Sequence, residues 1–393
     1  MTGVDKRNEA AGGLADASAL LPHHSLLDAG LIGPAGSCYL DLSRVVATNL
    51  VMVGHCLAIF HLGEIGVLGG LGVTIFFLLS GFLITTAAFR KSKSDEPQLR
   101  SFMIDRCARI FVPFVPILIL VAILNTILDF DKYGLSGVNT GPLAFLANLF
   151  LLNDFPLMQA ATHFIALDHF YPRAYNTAEP FWTIPVEFWT YVVFAAFYFV
   201  FLRRERPSWL FALLVVFVGL PIFLWNAFAG GGGGLSLVWM LGSIGAWFWF
   251  SSRAEKKKHV ELGLILIGFS GLCLLGRVMK AGLNPYEFQQ GFLIALLLFG
   301  GFLVCNAVTG ELGWFGKVAR LLAGYSYSLY LVHNTVLILF HKLMSHSAEA
   351  ALIAMVASHI AAFGLYLLFE RRYHEVGAWL KNRLPTSLRA RAL

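Results

Sequence analysis

Charge is scarce in this chain of 393 residues: Lys, Arg, Asp and Glu together make up 13% of it, about half the share found in soluble domains. With 58% hydrophobic residues and a mean hydropathy of +0.71, that scarcity excludes an ordinary water-soluble globule. Cysteine is equally thin. Cys38, Cys56, Cys107, Cys273 and Cys305 show no CxxC spacing, so neither a disulfide framework nor a metal site is expected. The net charge of +6 sits in short clusters rather than on a basic face, which argues against a nucleic-acid partner. Segments of about 10 residues with alternating polarity, the mark of a membrane β-barrel, are missing too. Residues 1–38 lack a basic start followed by a continuous apolar segment, and read as a loosely ordered cytoplasmic tail rather than a cleaved signal. No long hydrophilic block follows the last apolar run, so any chemistry is expected in the membrane region, about 39–375. Residues 376–393 read as a basic cytoplasmic tail.

What the chain does have is apolar runs of helix-spanning length, rich in Leu, Phe, Val and Gly. They predict an all-α, polytopic transmembrane helix bundle with about ten spanning helices, near 39–62, 66–89, 107–129, 181–202, 208–229, 234–251, 259–279, 288–308, 319–342 and 349–370. The apolar piece 141–155 is too short to cross, and is expected to be re-entrant or interfacial within an external segment, 130–180. The basic clusters support this count. Arg90, Lys91, Lys93, Arg100, Arg106 and Arg109, then Arg203, Arg204 and Arg206, then Arg253 and Lys256 to Lys258, then Arg371, Arg372, Lys381 and Arg383 all fall on one side only if 141–155 does not cross. The positive-inside rule then places both termini in the cytoplasm, for a protein of the plasma (inner) membrane.

Ionisable side chains within such spans are expensive and therefore suggest function. Arg44 and His55 are eleven residues apart on one predicted helix, which returns both to the same azimuth about 16 Å apart along the axis. A neutral imidazole in a low-dielectric setting can act as a general base. His55 is read that way, against the alternative of a packing histidine bonded to a backbone carbonyl. Glu187 falls at a similar depth, just after Pro185, whose missing N–H predicts a kink. It either fixes the His55 tautomer or forms an ion pair with an arginine. The stretch from Gly72 to Leu83 spaces small residues so that a neighbouring backbone or a narrow ligand can approach. Arg106 and Arg109, one turn apart at the expected start of a helix, suit phosphates or lipid headgroups. Ser326, Tyr330 and His333 form a polar stripe that serves either a hydroxyl-bearing substrate or interhelical hydrogen bonds. Outside the spans, His163, Asp168, His169, Tyr171, Arg173 and Tyr175 combine aromatic and polar groups of a kind that binds sugars.

Taken in order, five blocks resemble the membrane-bound acyltransferase family 3, over most of residues 39–375. They are Arg44-x10-His55, Gly72-x3-Phe76-Phe77-x2-Ser80-Gly81-Phe82-Leu83, Arg106-x2-Arg109-Ile110-x2-Pro113, Trp182-x4-Glu187, and Ser326-Tyr327-Ser328-Leu329-Tyr330-Leu331-x-His333. Two departures are Thr183 and Pro185 in the fourth block, and the absence of a proline at Glu370-Arg371-Arg372-Tyr373. The resemblance implies transfer of an acetyl or other short acyl group from acyl-CoA, most simply acetyl-CoA, to a hydroxyl of a carbohydrate or lipid-linked sugar. It implies His55 and Glu187 as catalytic residues, and Arg44, Arg106, Arg109, Phe77 and Ser80 along the path of the CoA. Trp182, Ser326, Tyr330 and His333 would then meet the acceptor. His55 would deprotonate the acceptor hydroxyl or carry the acyl group briefly. A homo-oligomer is left open. The competing class is a transporter or flippase using the same buried charges, although the two halves show no convincing internal repeat.

Overall fold

A computed structural model describes residues 32–63, 66–91, 97–128, 140–164, 171–228, 233–252, 255–310, 312–344 and 347–383. Its elements in order are α1 (Pro34–Ile59), α2 (Gly66–Lys91), α3 (Leu99–Leu128), α4 (Pro142–Leu149), α5 (Pro156–Phe164), α6 (Glu179–Leu202), α7 (Trp209–Phe228), α8 (Leu235–Ser251), α9 (Lys256–Ala281), α10 (Phe288–Ala307), α11 (Gly313–Gly324), α12 (Ser326–Leu343), α13 (Ala348–Leu368) and α14 (Tyr373–Arg383). Eight of them, among the described residues, are long and apolar enough to cross a membrane. Two helices expected to span fall outside that group. The apolar α8 has 17 residues, and α12, with 18, carries the Ser, His, Asn and Thr side chains of the polar stripe.

Helix α1 begins at Pro34, where proline suits the first turn because its missing N–H would go unbonded there anyway. The preceding Gly33 N–H donates to Asn306 Oδ1 at 2.8 Å. Residues 34–38 therefore belong to the bundle rather than to a tail. The expected span 319–342 is two helices, because the chain breaks at Tyr325 (φ −100°, ψ 8°). α11 exposes Trp314, Phe315, Val318 and Leu321, beside Lys317 and Arg320 on the same short helix, a composition suited to a bilayer interface. Part of the expected basic tail, 376–383, is helical as well. Gly377 of α14 lies against Ala108 and Asp105 of α3, so 376–383 is a packed helix. The piece 141–155 holds only the eight-residue α4 before turning at Leu151 and Asp154, both with a φ of 55°.

Close helix approach explains much of the glycine. A Cβ on Gly54 would sit 2.8 Å from Gly69 N, and one on Gly72 would overlap the Ala47 carbonyl, which brings α1 against α2. Gly81 and Gly242 join α2 to α8 in the same way, each facing a backbone carbonyl of the other helix. In the absence of a hydrophobic force between helices in lipid, such backbone proximity supplies the packing. At one end of the bundle the polar groups knit together. Asp105 pairs with Lys91 at 3.0 Å and with Lys381, while Glu205 accepts the N–H groups of Gln98 and Leu99 at the start of α3.

Candidate active site

Helix α2 presents different faces to different partners. Gly72 touches α1 and Gly81 touches α8, while Val73, Phe76, Phe77, Ser80 and Ile84 line a cavity holding about 860 Å³ of empty space, its open mouth included. The glycines of this block thus serve helix packing, and its cavity-facing wall includes Phe77 and Ser80. Across the cavity stand Thr183, Glu187 and Tyr191 of α6, with Ser326, Tyr327 and Tyr330 of α12. At its charged end lie Arg44, Arg106 and Arg109.

These three cations are not equivalent. Arg109 donates to Glu370 at 2.7 Å and lies over the rings of Tyr327 and Tyr373. Glu370, only 1% exposed, accepts the backbone N–H and hydroxyl of Ser328 with its other oxygen. This carboxylate therefore holds Arg109 in place and also caps α12. Arg44 lies 3.8 Å from Asp41. Arg106 has no ion pair among the described residues, and its Nε is buried without a hydrogen-bond partner. The hydroxyl of Tyr327 is likewise buried and unpartnered on the cavity wall. A guanidinium and a phenol with donors to spare favour an anionic ligand with several acceptor oxygens. Helix α3 starts at Leu99, so Arg106 and Arg109 sit about two and three turns inside it. The helix dipole expected to assist them acts only within the first turn.

Glu187 does not orient His55. Its Oε1 accepts from Ser80 Oγ at 3.1 Å and from the Tyr191 hydroxyl, and Trp239 Nε1 donates to the same Ser80 Oγ at 3.1 Å. Among its contacts, His55 pairs instead with Asn334, whose Oδ1 is 2.7 Å from Nδ1. Asn334 Nδ2 donates to the Thr177 carbonyl at 2.6 Å, which fixes the amide so that its oxygen faces the imidazole. The proton of His55 therefore lies on Nδ1, and Nε2 is the basic nitrogen. His333 repeats the arrangement. Its Nδ1 faces the carbonyls of Leu329 and Tyr330 at 3.0 and 2.9 Å, leaving Nε2 as an acceptor, buried and without a partner. The two rings are 5.2 Å apart.

Neither imidazole lines the cavity. Tyr330 stands between: it lines the cavity, meets Phe76 ring to ring at 5.6 Å, and lies 6.1 Å from the His333 ring. Its hydroxyl bonds Thr183 at 2.7 Å and donates to the Pro180 carbonyl. The path expected to lead from Ser80 up to His55 is closed here by this aromatic pair. Trp182 is also elsewhere, on a second cavity on the other side of α6. Of the external residues, Tyr171 joins that second cavity, with Arg173 over its ring at 5.0 Å, and Tyr175 donates to the Thr140 carbonyl. Asp168 and His169 lie outside the described residues.

The sequence profile of the family described as "Acyltransferase domain" matches residues 39–370. The chain belongs to this acyltransferase family. Among named relatives, the O-acetyltransferase OatA of Staphylococcus aureus (strain NCTC 8325 / PS 47) is 25% identical over 306 residues, covering 71% of this chain and 48% of the relative. The peptidoglycan O-acetyltransferase OatA of Listeria monocytogenes is 23% identical over 312 residues, covering 71% and 47%. The chain thus spans about half the length of the curated relatives it matches. No solved structure matches it. Four of its five blocks contribute Arg44, Phe77, Ser80, Arg106, Arg109, Ser326 and Tyr330 to one cavity, and the Trp182 block adds Glu187. Sequence reasoning missed Tyr191, Tyr327, Asn334 and Glu370. Tyr191 was open to discovery, since it follows Glu187 by four residues and shares its helix face. Glu370 reaches Arg109 from 261 positions away, and no local spacing signals that.

Proposed function

We propose that this acyltransferase moves an acetyl or other short acyl group from acyl-CoA to a hydroxyl of a carbohydrate or glycolipid acceptor. The observation that carries the reading is the vertical order of groups: spare cationic and phenolic donors at one end of an apolar-walled cavity, and two imidazoles with basic Nε2 atoms beyond its other end. The basic end is assigned to the cytoplasm, where acyl-CoA is made. There Arg106 and Arg44 bind the phosphates, Arg109 adds its field, and the pantetheine arm lies along Phe77 and Ser80. The Phe76–Tyr330 contact must part for the thioester to approach His55. The acceptor oxygen then attacks the thioester carbonyl while His55 Nε2 takes the hydroxyl proton. The tetrahedral intermediate expels the sulfur, the C–S bond breaks, and the imidazolium returns the proton to the thiolate. An O-acyl ester and free CoA result. Asn334 keeps the Nδ1 proton in place throughout, as the orienting partner of a general base does. The peptidoglycan named for the Listeria relative makes a cell-wall glycan the first acceptor to try.

The test is transfer of label from acetyl-CoA to glycan oligosaccharides by the purified protein in vesicles. A positioned general base contributes about 10²–10⁴-fold, so His55→Ala should lose at least that much. Transfer at the wild-type rate by His55→Ala overturns the assignment of the base. Labelled CoA that binds wild type and Arg106→Ala equally overturns the donor site.

A further inference from the structure

The second cavity lies between the outer part of α6, the end of α7 and the segment around Asp154, and holds about 770 Å³ of empty space. Three half-buried aromatic side chains line it, Trp182, Trp225 and Tyr171, with the amides of Asn153, Gln159 and Asn226 and the carboxyl of Asp154. Asn153 is 2% exposed and its Oδ1 has no hydrogen-bond partner. We infer that this cavity holds one pyranose ring of the acceptor, with C–H faces against the indoles and hydroxyls on the amides and carboxyl; the inference rests on the acyl-transfer reading above. Flat aromatic surface beside a few convergent polar groups matches the mixed character of a sugar, whose ring has apolar faces and a polar rim.

The local backbone is built to hold these groups. Leu151 and Asp154 both take a φ of 55°, a left-handed conformation that costs energy for leucine and that the surroundings must impose. Trp189 Nε1 donates to the Leu151 carbonyl at 2.8 Å, and Asp154 N–H donates to the Pro172 carbonyl at 2.8 Å. The two strained corners present Asn153 and Asp154 to the cavity. Ring contacts then lead from the cavity to the imidazoles. Trp182 meets Tyr286 at 6.4 Å, Tyr286 packs on Gly70, and the adjacent Gly69 lies beside the His55 ring. The donor cavity approaches the same imidazoles from the opposite face of α6.

The test is binding, not turnover: tryptophan fluorescence of the full-length protein in detergent, titrated with an N-acetylglucosamine tetrasaccharide and with cellotetraose. Saturable binding of either sugar, weakened about tenfold or more in Trp225→Ala and in Asn153→Ala, supports the site, provided that the thermal unfolding midpoints stay near wild type. Should Trp225→Ala fail to fold, Trp225→Phe, which keeps a ring, takes its place and is expected to weaken binding less. No binding of either sugar, or binding unchanged in the variants, overturns the inference. Sugar binding lost in the variants of a protein that never uses acetyl-CoA would leave the cavity assigned and the transfer reading refuted.

Discussion

Gly81→Ala is the sharpest test of how the cavity beside Ser80 is assembled. A Cβ at Gly81 would overlap the Trp239 carbonyl oxygen and come within 3.0 Å of Ser243 N. Both neighbours are backbone atoms of α8, so no side chain can swing away, and the helices must separate. Overpacking of this kind costs about 1–3 kcal/mol, and the two-sided contact with Gly242 puts the expected loss near the upper end, about 3 kcal/mol. Separation would also stretch the Trp239–Ser80 hydrogen bond next door, and with it the Ser80–Glu187–Tyr191 group on the cavity wall. Gly268 on α9 is the control. A Cβ there meets nothing within 4 Å, and alanine should be neutral or stabilising by up to about 1 kcal/mol through helix propensity. Thermal unfolding in detergent, read by tryptophan fluorescence, compares the two. Equal midpoints for Gly81→Ala and Gly268→Ala would refute the claim that backbone contact joins α2 to α8.

Other perturbations test separate parts of the molecule. Glu370→Gln takes the paired carboxylate from the half-buried Arg109 and should cost about 1–3 kcal/mol of stability, with Arg109→Met in the same background recovering part of it in the same unfolding assay. Asn334→Ala removes the acceptor that holds the Nδ1 proton of His55. It is expected to lower kcat about tenfold or more with little change in KM for the donor, measured by label transfer. Burial raises the Asp154 carboxyl from 3.8 to about 6, against smaller opposing effects from Asn153, Arg173 and the Ala174 backbone. The folded state therefore binds this proton more readily than the unfolded chain. Its stabilising contribution is full below about pH 4 and is lost as pH rises through about 6. Asp154→Asn should consequently gain stability relative to wild type between pH 5 and pH 7, and the gap should close near pH 4, as unfolding midpoints across that range will show.

The helix bundle was legible because hydropathy reports the cost of desolvation residue by residue, without reference to neighbours. The break at Tyr325 was not, because Leu321, Leu322 and Ala323 before it and Leu329, Leu331 and Val332 after it keep the run apolar on average across Gly324 and Ser326. It is fixed by Ser326, whose hydroxyl donates to the Ala323 carbonyl, and by Glu370, which binds the N–H of Ser328 from another helix. The cavity residues were legible as a group, since polar side chains inside apolar runs are few. Their pairing was not. Position along a helix gives depth, and depth put His55 level with Glu187, but azimuth between helices depends on contacts such as Gly54 on Gly69. On α12 it is Asn334, one residue beyond the His333 of the expected polar stripe, that bonds His55.

Helix α6 shows how one proline organises two cavities. Pro185 has no N–H, so the carbonyl of Phe181 lacks its α-helical donor, and Asn153 Nδ2 approaches that oxygen at 3.4 Å instead. One residue earlier, the Pro180 carbonyl accepts from the hydroxyls of Thr183 and Tyr330. The same short stretch therefore anchors the second cavity through Asn153 and closes the first through Tyr330. Along it, Trp182, Pro185 and Val186 face the second cavity, while Thr183 and Glu187 face the first. Restoring the backbone donor with Pro185→Ala should release Asn153 and let the Phe181 carbonyl bond within the helix. If the proline matters only for fitting α6 into the bundle, sugar and donor binding will fall together with the unfolding midpoint. If it sets the two faces of α6, the midpoint will hold or rise while sugar binding weakens.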